Sequence, residues 1–315
     1  MTRPLDSVAA AIGRTPLVRI RHLARHLEGA GVRIHAKLEL FNPGGSVKDR
    51  AALQMIRDAQ ADGRLRPGGT LIDSTSGNTG VAYAMLGAAL GLRVSLVMPS
   101  NVTPARKHVA RAYGAELIES DPMEGSDGAI RLVRAITARD PGRYFYPDQY
   151  SNPSNPLAHY LGTGKEIWEQ TRGEVTHFVC GIGTSGTVMG TRRRLKELRP
   201  EIQVIAVEPE EPMHGLEGLK HMPTSLVPAI YDEAALDGKL SISTDAGWDM
   251  AERLCREEGL PVGHSSGAAM AGALRVAESL AARGMRGVVV TLFPDRADRY
   301  FPEPPPRALT RSPPP

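Results

Sequence analysis

Short apolar runs rich in valine and isoleucine alternate with longer amphipathic segments along most of the chain. The runs with strand character are RIHAKLEL, TLIDST, RVSLVMP, AELIES, THFVCGIG, QVIAVEP and GVVVTLFP. Strands that alternate with helices form βαβ units, in which the sheets are largely parallel and buried on both faces. The pattern therefore predicts an α/β fold.

The length of the chain, 315 residues, is enough for one large or two medium domains. The stretch YPDQYSNPSNP, at 146–156, is rich in proline, asparagine and serine and has no periodicity, so it is the predicted crossing between two domains. The tail from Phe301 contains too many prolines for a packed helix or an inner strand, and we expect it to be mobile.

Charge and cysteine content narrow the classes of function. Basic residues number 38 and acidic residues 35, a near balance that gives no support to nucleic-acid binding. Cys180 and Cys255 form no CxxC pair and the histidines show no ligand spacing, so we expect no metal and a reducing, cytoplasmic environment. The first residues lack the apolar core of a signal peptide, and no apolar run approaches the ~20 residues of a bilayer span, so we expect no membrane association.

The stretch FNPGGSVKDR, at 41–50, places Lys48 just after a proline and two glycines, where a helix is predicted to start. Ser46 and Asp49 have the spacing of a capping box, which would put Lys48 in the first helical turn. A cation there opposes the helix macrodipole by about 0.3–1 kcal/mol, and the same field lowers the pKa of the amine. A neutral amine can form a Schiff base, although an isolated lysine is more often simply solvated.

Three later turns are rich in glycine and small hydroxyl residues, and each opens a predicted helix. STSGNTG, at 74–80, offers N–H and O–H groups to a carboxylate or a phosphate. GIGTSGT, at 181–187, follows the strand THFVC and forms a phosphate cup. It also matches the dinucleotide pattern GxGxxG. That pattern requires an acidic residue about 20 positions further on, and the nearest candidate, Glu208, is slightly too far; the motif also lies late in the chain. We therefore favour phosphate over a dinucleotide. GHSSG, at 263–267, is by itself only a serine-capped helix start.

Taken together, NPGGSVKDR, TSGNTG, GIGTSGT and GHSSGA resemble, in order and spacing, the cysteine synthase family of fold type II pyridoxal-phosphate enzymes. The resemblance covers residues 8–301 and includes THFV, EGL and DRADRY. PTSLVPAIYD and SNPSNPLAHY are most similar to the B-type members, the O-acetylserine or O-phosphoserine sulfhydrylases.

The resemblance implies two three-layer α/β/α domains with mostly parallel sheets and an active site in the cleft between them. The implied division is a smaller, mobile N-terminal domain at 35–151, a larger cofactor-binding domain at 1–34 and 152–301, and a disordered proline-rich tail at 302–315.

The resemblance also implies roles for the residues at matching positions. Lys48 would carry pyridoxal 5′-phosphate as a Schiff base and then remove the α-proton of the substrate. The other implied cofactor contacts are Asn78 at the ring hydroxyl, Ser265 (with Ser266 as the adjacent alternative) at the pyridine nitrogen, and Gly183, Thr184, Ser185, Gly186 and Thr187 around the phosphate. The implied contacts to the substrate carboxylate are Thr75, Ser76, Gly77, Asn78, Thr79 and Gln149.

Lys220 stands where B-type members have a basic residue, so it would meet an anionic group of the substrates, unless it is merely a solvated loop residue. The implied reaction is β-replacement, in which O-acetylserine or O-phosphoserine loses its leaving group and sulfide, or a donor such as thiosulfate, adds to give L-cysteine. The family also implies a homodimer, with the tail of serine acetyltransferase as a candidate partner.

Two other activities use the same cofactor motifs, namely cystathionine β-synthase and serine/threonine dehydratase. Outside enzymes, the alternative is a catalytically silent module that docks a partner peptide in the cleft. Intact Lys48, Asn78 and Ser265 argue against such a silent module.

Overall fold

The computed structural model describes residues 4–75 and 77–300, except for the side chain of Ser126. Two predicted features lie outside the described residues, namely Ser76 and the proline-rich tail at 302–315. No helix in the described ranges combines the length and the apolar character needed to cross a bilayer.

Within the described residues, strands and helices alternate along the chain. The strands are β1 (Leu17–Ile20), β2 (Val32–Leu38), β3 (Thr70–Ser74), β4 (Arg93–Pro99), β5 (Glu116–Ser120), β6 (Tyr144–Phe145), β7 (His177–Gly181), β8 (Gln203–Pro209), β9 (Gly238–Ile242) and β10 (Gly287–Phe293). The helices are α1 (Lys48–Ala61), α2 (Asn78–Leu90), α3 (Pro104–Ala112), α4 (Gly125–Arg139), α5 (Ser154–Ala158), α6 (Gly164–Gln170), α7 (Gly186–Leu198), α8 (Thr244–Glu258) and α9 (His264–Ala282).

The strands form a six-stranded sheet in the order β1-β2-β10-β7-β8-β9 and a four-stranded sheet in the order β5-β4-β3-β6. Neighbouring strands run parallel except β1 and β2, which are antiparallel. All seven predicted strands are present. The sequence reading missed β1, β6 and β9, because β6 has two residues and the other two are edge strands that are only partly buried.

Each sheet is covered by helices on both faces. In β7, Val179 packs into the cluster that contains α9, whereas Phe178 and Cys180 pack into the cluster that contains α7. In the smaller sheet, Leu71 faces α1 and α2, and its neighbour Ile72 faces α4. This alternation is the period of two expected of a strand buried on both sides. The predicted α/β fold with two three-layer units is confirmed.

The division into domains stays a prediction. The four strands of the smaller sheet fall inside the predicted range 35–151. The boundary at residue 35, however, cuts β2, which pairs along its whole length with β10 in the larger sheet. We therefore place the proposed boundary after Leu38.

Candidate active site

Four helices begin at the turns that the sequence singled out: α1 at Lys48, α2 at Asn78, α7 at Gly186 and α9 at His264. Their first turns meet at one cleft, near the carboxyl ends of β3, β7 and β10, where open α/β sheets bind ligands. The predicted residues that line this cleft are Lys48, Asn78, Gly183, Thr184, Ser185, Thr187 and Ser265. Gly186 lies next to them at the start of α7 without forming part of the wall.

The turn before α1 differs from the predicted capping box. The hydroxyl of Ser46 accepts a hydrogen bond of 3.3 Å from the backbone N–H of Lys48, not from that of Asp49. The carboxylate of Asp49 accepts from the backbone N–H of Gly44 at 2.5 Å, because the absence of a side chain at Gly44 leaves room for it. Lys48 nevertheless lies in the first helical turn, as predicted.

The amine of Lys48 lies in a low-polarity environment. Burial lowers its pKa, while the charge of the Asp295 carboxylate opposes the shift. The direction agrees with the expectation from the helix macrodipole, although burial is the largest cause. Cys180, at the end of β7, also lines the cleft, and burial raises its pKa to about 12. The thiol is therefore protonated at neutral pH.

The turn at the start of α7 fits a phosphate. Ser185 has a left-handed backbone with φ of 69°, and its hydroxyl is buried without a hydrogen-bond partner in the structure. A Cβ atom at Gly183 would collide with the carbonyl of Gly218, and one at Gly186 would collide with the side chain of Asn155. The first N–H groups of a helix lack partners inside it and attract anions. The two glycines are therefore required by the packing of the turn, while the Ser185 hydroxyl and the first N–H groups of α7 are donors for an anionic group.

Two side chains that the sequence reading did not single out hold the threonines of this turn. The Asn155 amide donates to the Thr184 hydroxyl at 3.1 Å, and Nε2 of His159 lies 3.3 Å from the Thr187 hydroxyl. His159 begins a π-helical turn, an irregularity that is frequent at functional sites, and its Nδ1 lies 2.9 Å from the hydroxyl of Thr163. Burial lowers the pKa of His159 to about 3, so the imidazole is neutral.

At the start of α9, Ser265 lines the cleft and Ser266 does not. His264 points the other way, where its ring stacks on Trp248 with centroids 4.5 Å apart. The His264 side chain therefore packs beside the cleft and is not part of its wall.

The predicted carboxylate-binding residues lie around the start of α2. Thr75 and Gly77 precede the helix, and the N–H of Gly77 donates to the Thr75 hydroxyl at 3.4 Å. Thr79, in its first turn, donates to Oε1 of Gln149 at 3.0 Å. Lys220 stands apart from the wall that Lys48 lines, with its ammonium 5.1 Å from the centre of the Tyr150 ring. Burial lowers the pKa of Lys220, and the charge of Asp127 opposes this.

A family model described as pyridoxal-phosphate dependent enzyme matches residues 8–295. The chain belongs to this family. Lys48 brings an amine, the turn before α7 brings donors suited to a phosphate, and Asn78 and Ser265 bring polar groups to the same cleft, so the residues present fit the cofactor. Among the residues that the structure describes, no three His, Cys, Asp or Glu side chains group as metal ligands would.

The enzyme is similar along most of its length to cysteine synthases. It is 50% identical to cysteine synthase from Aquifex aeolicus, over 94% of this chain and 90% of that protein. It is 43% identical to cysteine synthase B from Pseudomonas aeruginosa, over 96% and 97%. A crystal structure of cysteine synthase from Entamoeba histolytica has a TM-score of 0.90 and 40% identity, and the match covers 95% of this chain and 89% of that one.

Proposed function

We propose that the enzyme is a cysteine synthase that converts O-acetyl-L-serine and sulfide into L-cysteine and acetate. The observation that carries the proposal is the meeting of an amine, a phosphate-binding turn, Asn78 and Ser265 in one cleft. Similarity to cysteine synthases at 50% and 43% identity favours this reaction over cystathionine β-synthase or serine/threonine dehydratase activity.

Bound pyridoxal phosphate supplies the electron sink that makes loss of the α-proton and of the β-leaving group feasible. Lys48 would hold the cofactor covalently and then accept the α-proton at Nζ, a task helped by the burial that lowers its pKa. Gly183, Thr184, Ser185, Gly186 and Thr187 would hold the phosphate, Asn78 the ring hydroxyl and Ser265 the pyridine nitrogen.

The amino acid carboxylate would bind at the N-terminus of α2, to Thr75, Ser76, Gly77, Asn78 and Thr79, with Gln149 assisting. The bond from Thr79 to Oε1 of Gln149 turns the Gln149 amide so that its N–H groups are free to donate. Movement of the smaller sheet toward the larger one would then exclude water from the reacting atoms.

The leaving group would be acetate or phosphate, and Lys220 is the residue proposed to distinguish them. Its partly buried ammonium has no salt-bridge partner among the described residues and lies over the Tyr150 ring. The Lys220 ammonium would bind the phosphate of O-phosphoserine or the second negative charge of thiosulfate. The acetyl group of O-acetylserine does not need such a cation.

Three further features of the proposal rest on the resemblance to the family. They are a homodimer, a cytoplasmic location and docking of a serine acetyltransferase tail in the cleft. Light scattering of the purified enzyme, alone and with a peptide of that tail, tests the first and the third. We expect twice the mass of the 33.9 kDa chain for the enzyme alone.

A spectral titration tests the reaction. Purified enzyme should carry the absorbance of bound pyridoxal phosphate, and O-acetylserine should change that spectrum with release of acetate. Sulfide should then restore the starting spectrum and yield cysteine, and parallel titrations with O-phosphoserine and thiosulfate identify the other accepted reactants. Protein that stays colourless after addition of pyridoxal phosphate contradicts the proposed function.

A further inference from the structure

The segment that follows β10, residues 294–300, touches the starts of three helices that line the cleft. The backbone N–H of Val47, directly before Lys48, donates to the carbonyl of Pro294 at 2.8 Å. The N–H of Gly263, directly before α9, donates to the carbonyl of Asp295 at 3.2 Å. The side chain of Asp295 reaches the third helix, α2, through Asn78. Asp295 therefore lies at the junction of all three.

Asp295 and Arg299 hold opposite ends of the Asn78 amide. Nδ2 of Asn78 donates to Oδ2 of Asp295 at 2.6 Å, while Oδ1 of Asn78 accepts from the guanidinium of Arg299. The two ends of an amide have nearly the same shape, so only hydrogen-bond partners decide which way it points. An acceptor at one end and a donor at the other allow a single orientation. Asn78 lines the cleft, so this fixed amide borders the space that a ligand would occupy.

The surroundings of Asp295 favour such a role. Its side chain is almost completely buried, and Oδ2 also accepts from the hydroxyl of Tyr300. Oδ1 has no hydrogen-bond partner in the structure, and the missing side chain of Gly263 leaves the space that it occupies. A buried carboxylate with an unpaired oxygen is costly, and such groups call for a functional explanation. Asp295 also lines the cleft, where its charge acts on Lys48.

We propose that Asp295 is a positioning residue that, together with Arg299, fixes the amide of Asn78 so that one N–H faces the hydroxyl of the cofactor ring. This inference rests on the proposed contact between Asn78 and that hydroxyl. Arg299 also donates to the carbonyl of Gly44, so the same side chain ties the turn before Lys48 to the start of α2. Because Arg299 joins these two segments, the amine of Lys48 and the amide of Asn78 keep fixed positions relative to each other. One ligand can then contact both groups.

The test is a double-mutant cycle on cofactor affinity, measured by titrating the apoprotein with pyridoxal 5′-phosphate. Asp295→Asn and Asn78→Ala should each raise the dissociation constant by about tenfold or more, the loss expected when a charge-assisted or cofactor hydrogen bond is removed. The part of the loss that Asp295 exerts through Asn78 should be absent from the double variant, so its dissociation constant should rise by less than the product of the two single fold-changes. Asp298→Asn is the matched control, since Asp298 is exposed on the same segment and forms an ion pair with Arg296, at 3.4 Å.

Two results overturn the inference, namely an unchanged dissociation constant for Asp295→Asn, or fold-changes of Asp295→Asn and Asn78→Ala that multiply in the double variant. A wild-type protein that binds no pyridoxal phosphate overturns the proposed function as well, so the two failures are distinguishable. The melting temperature of each apoprotein reports folding. If Asp295→Asn does not fold, Arg299→Gln replaces it in the cycle, because it removes the partner at the other end of the same amide.

Discussion

The hydroxyl of Thr79 donates a hydrogen bond of 3.0 Å to Oε1 of Gln149, and both side chains are buried. Thr79 belongs to the first turn of α2, whereas Gln149 lies in the segment that leads from β6 to α5. The bond joins a helix N-terminus, which attracts an anion, to an amide whose N–H groups remain free. The pair is therefore suited to bind a carboxylate.

Replacement of Gln149 by Glu should impair substrate binding without loss of cofactor. The new carboxylate would accept from Thr79 but would repel the substrate, so KM for O-acetylserine should rise by about 10- to 100-fold, the range for losing a hydrogen bond to a charged group. Gln60→Glu is the control, since Gln60 is exposed on α1. Steady-state kinetics and pyridoxal phosphate titration make the measurement. The expected change in KM is about tenfold or more, so a KM within about twofold of the wild type would mean that Gln149 does not contact the substrate carboxylate.

Replacement of Lys48 by Ala should abolish the covalent chromophore and the synthase activity while the fold remains. The side chain lies in the cleft and forms no hydrogen bond with the described residues, so its loss leaves space rather than an unpaired group. Lys165→Ala is the control, because Lys165 is exposed and forms an ion pair with Glu169, at 3.9 Å. Absorbance, borohydride trapping and circular dichroism report the outcome. A Lys48→Ala variant that still carries the chromophore after trapping would contradict the role of Lys48.

The sequence predicted which helix starts form the cleft, but it predicted only some of the residues that line it. Glycine and hydroxyl residues at 74–80, 181–187 and 263–267 predicted helix starts, because local backbone chemistry decides where a helix begins. The pairing of Asp295 with Asn78 joins residues 217 positions apart, and no local pattern predicts it. The capping box was wrongly predicted for the same reason. Asp49 turned to Gly44 because the tertiary path of that loop offered a backbone N–H.

The charge of Lys220 should matter for a phosphorylated substrate and not for an acetylated one. Lys220→Met keeps the apolar stem against Tyr150 but removes the cation, so kcat/KM for O-phosphoserine should fall by about tenfold or more, with the value for O-acetylserine little changed. Lys220→Arg retains a positive charge and serves as the matched variant, with a smaller loss expected. Equal effects of Lys220→Met on both substrates would mean that Lys220 does not distinguish the two leaving groups.

Arg50, two positions after Lys48 on α1, holds two acidic side chains at once. Its guanidinium donates to both carboxylate oxygens of Glu39, at 2.6 and 2.8 Å, and to both of Glu166, at 2.7 and 2.8 Å. Lys37 adds a contact of 2.6 Å to Glu166. Glu39 and Lys37 are fully buried. Removal of one charged side chain from this network therefore leaves another charge in the core without a partner of opposite sign.

Arg50→Met should therefore lower the free energy of unfolding by about 3–5 kcal/mol. The exposed pair of Arg64 and Asp62, 2.7 Å apart, provides the control, since Arg64→Met should cost about 1 kcal/mol or less. Urea unfolding of the apoproteins makes the comparison. The double variant Glu39→Gln/Arg50→Met should lose less than the sum of the single variants, because neither charge is then left alone. Additive losses would contradict a coupled network.

Asp73, in β3 just before the carboxylate-binding turn, should make stability depend on pH. Its Oδ1 accepts from the N–H of Ser74 at 2.7 Å, and its side chain is buried. Burial raises the pKa from 3.8 to about 7, against the hydrogen bonds from the Ser74 N–H and the Tyr83 hydroxyl, while the charge of Asp148 adds to the rise. Between these values the folded chain binds a proton that the unfolded chain lacks. The stability that this group contributes is complete below pH ~4 and is lost as the pH rises to ~7.

Asp73→Asn removes this dependence while keeping the shape of the side chain. The free energy of unfolding of the variant minus that of the wild type should therefore rise between pH 4 and pH 8, by about 4 kcal/mol for the full shift. Groups common to both proteins cancel in the difference. Asp62→Asn is the control. Hydrogen bonds from Arg64 lower the pKa of Asp62, so for this variant the difference in unfolding free energy should change only slightly with pH, and in the opposite direction. Urea unfolding across this range decides, and a flat difference curve for Asp73→Asn would mean that Asp73 stays ionised in the folded protein.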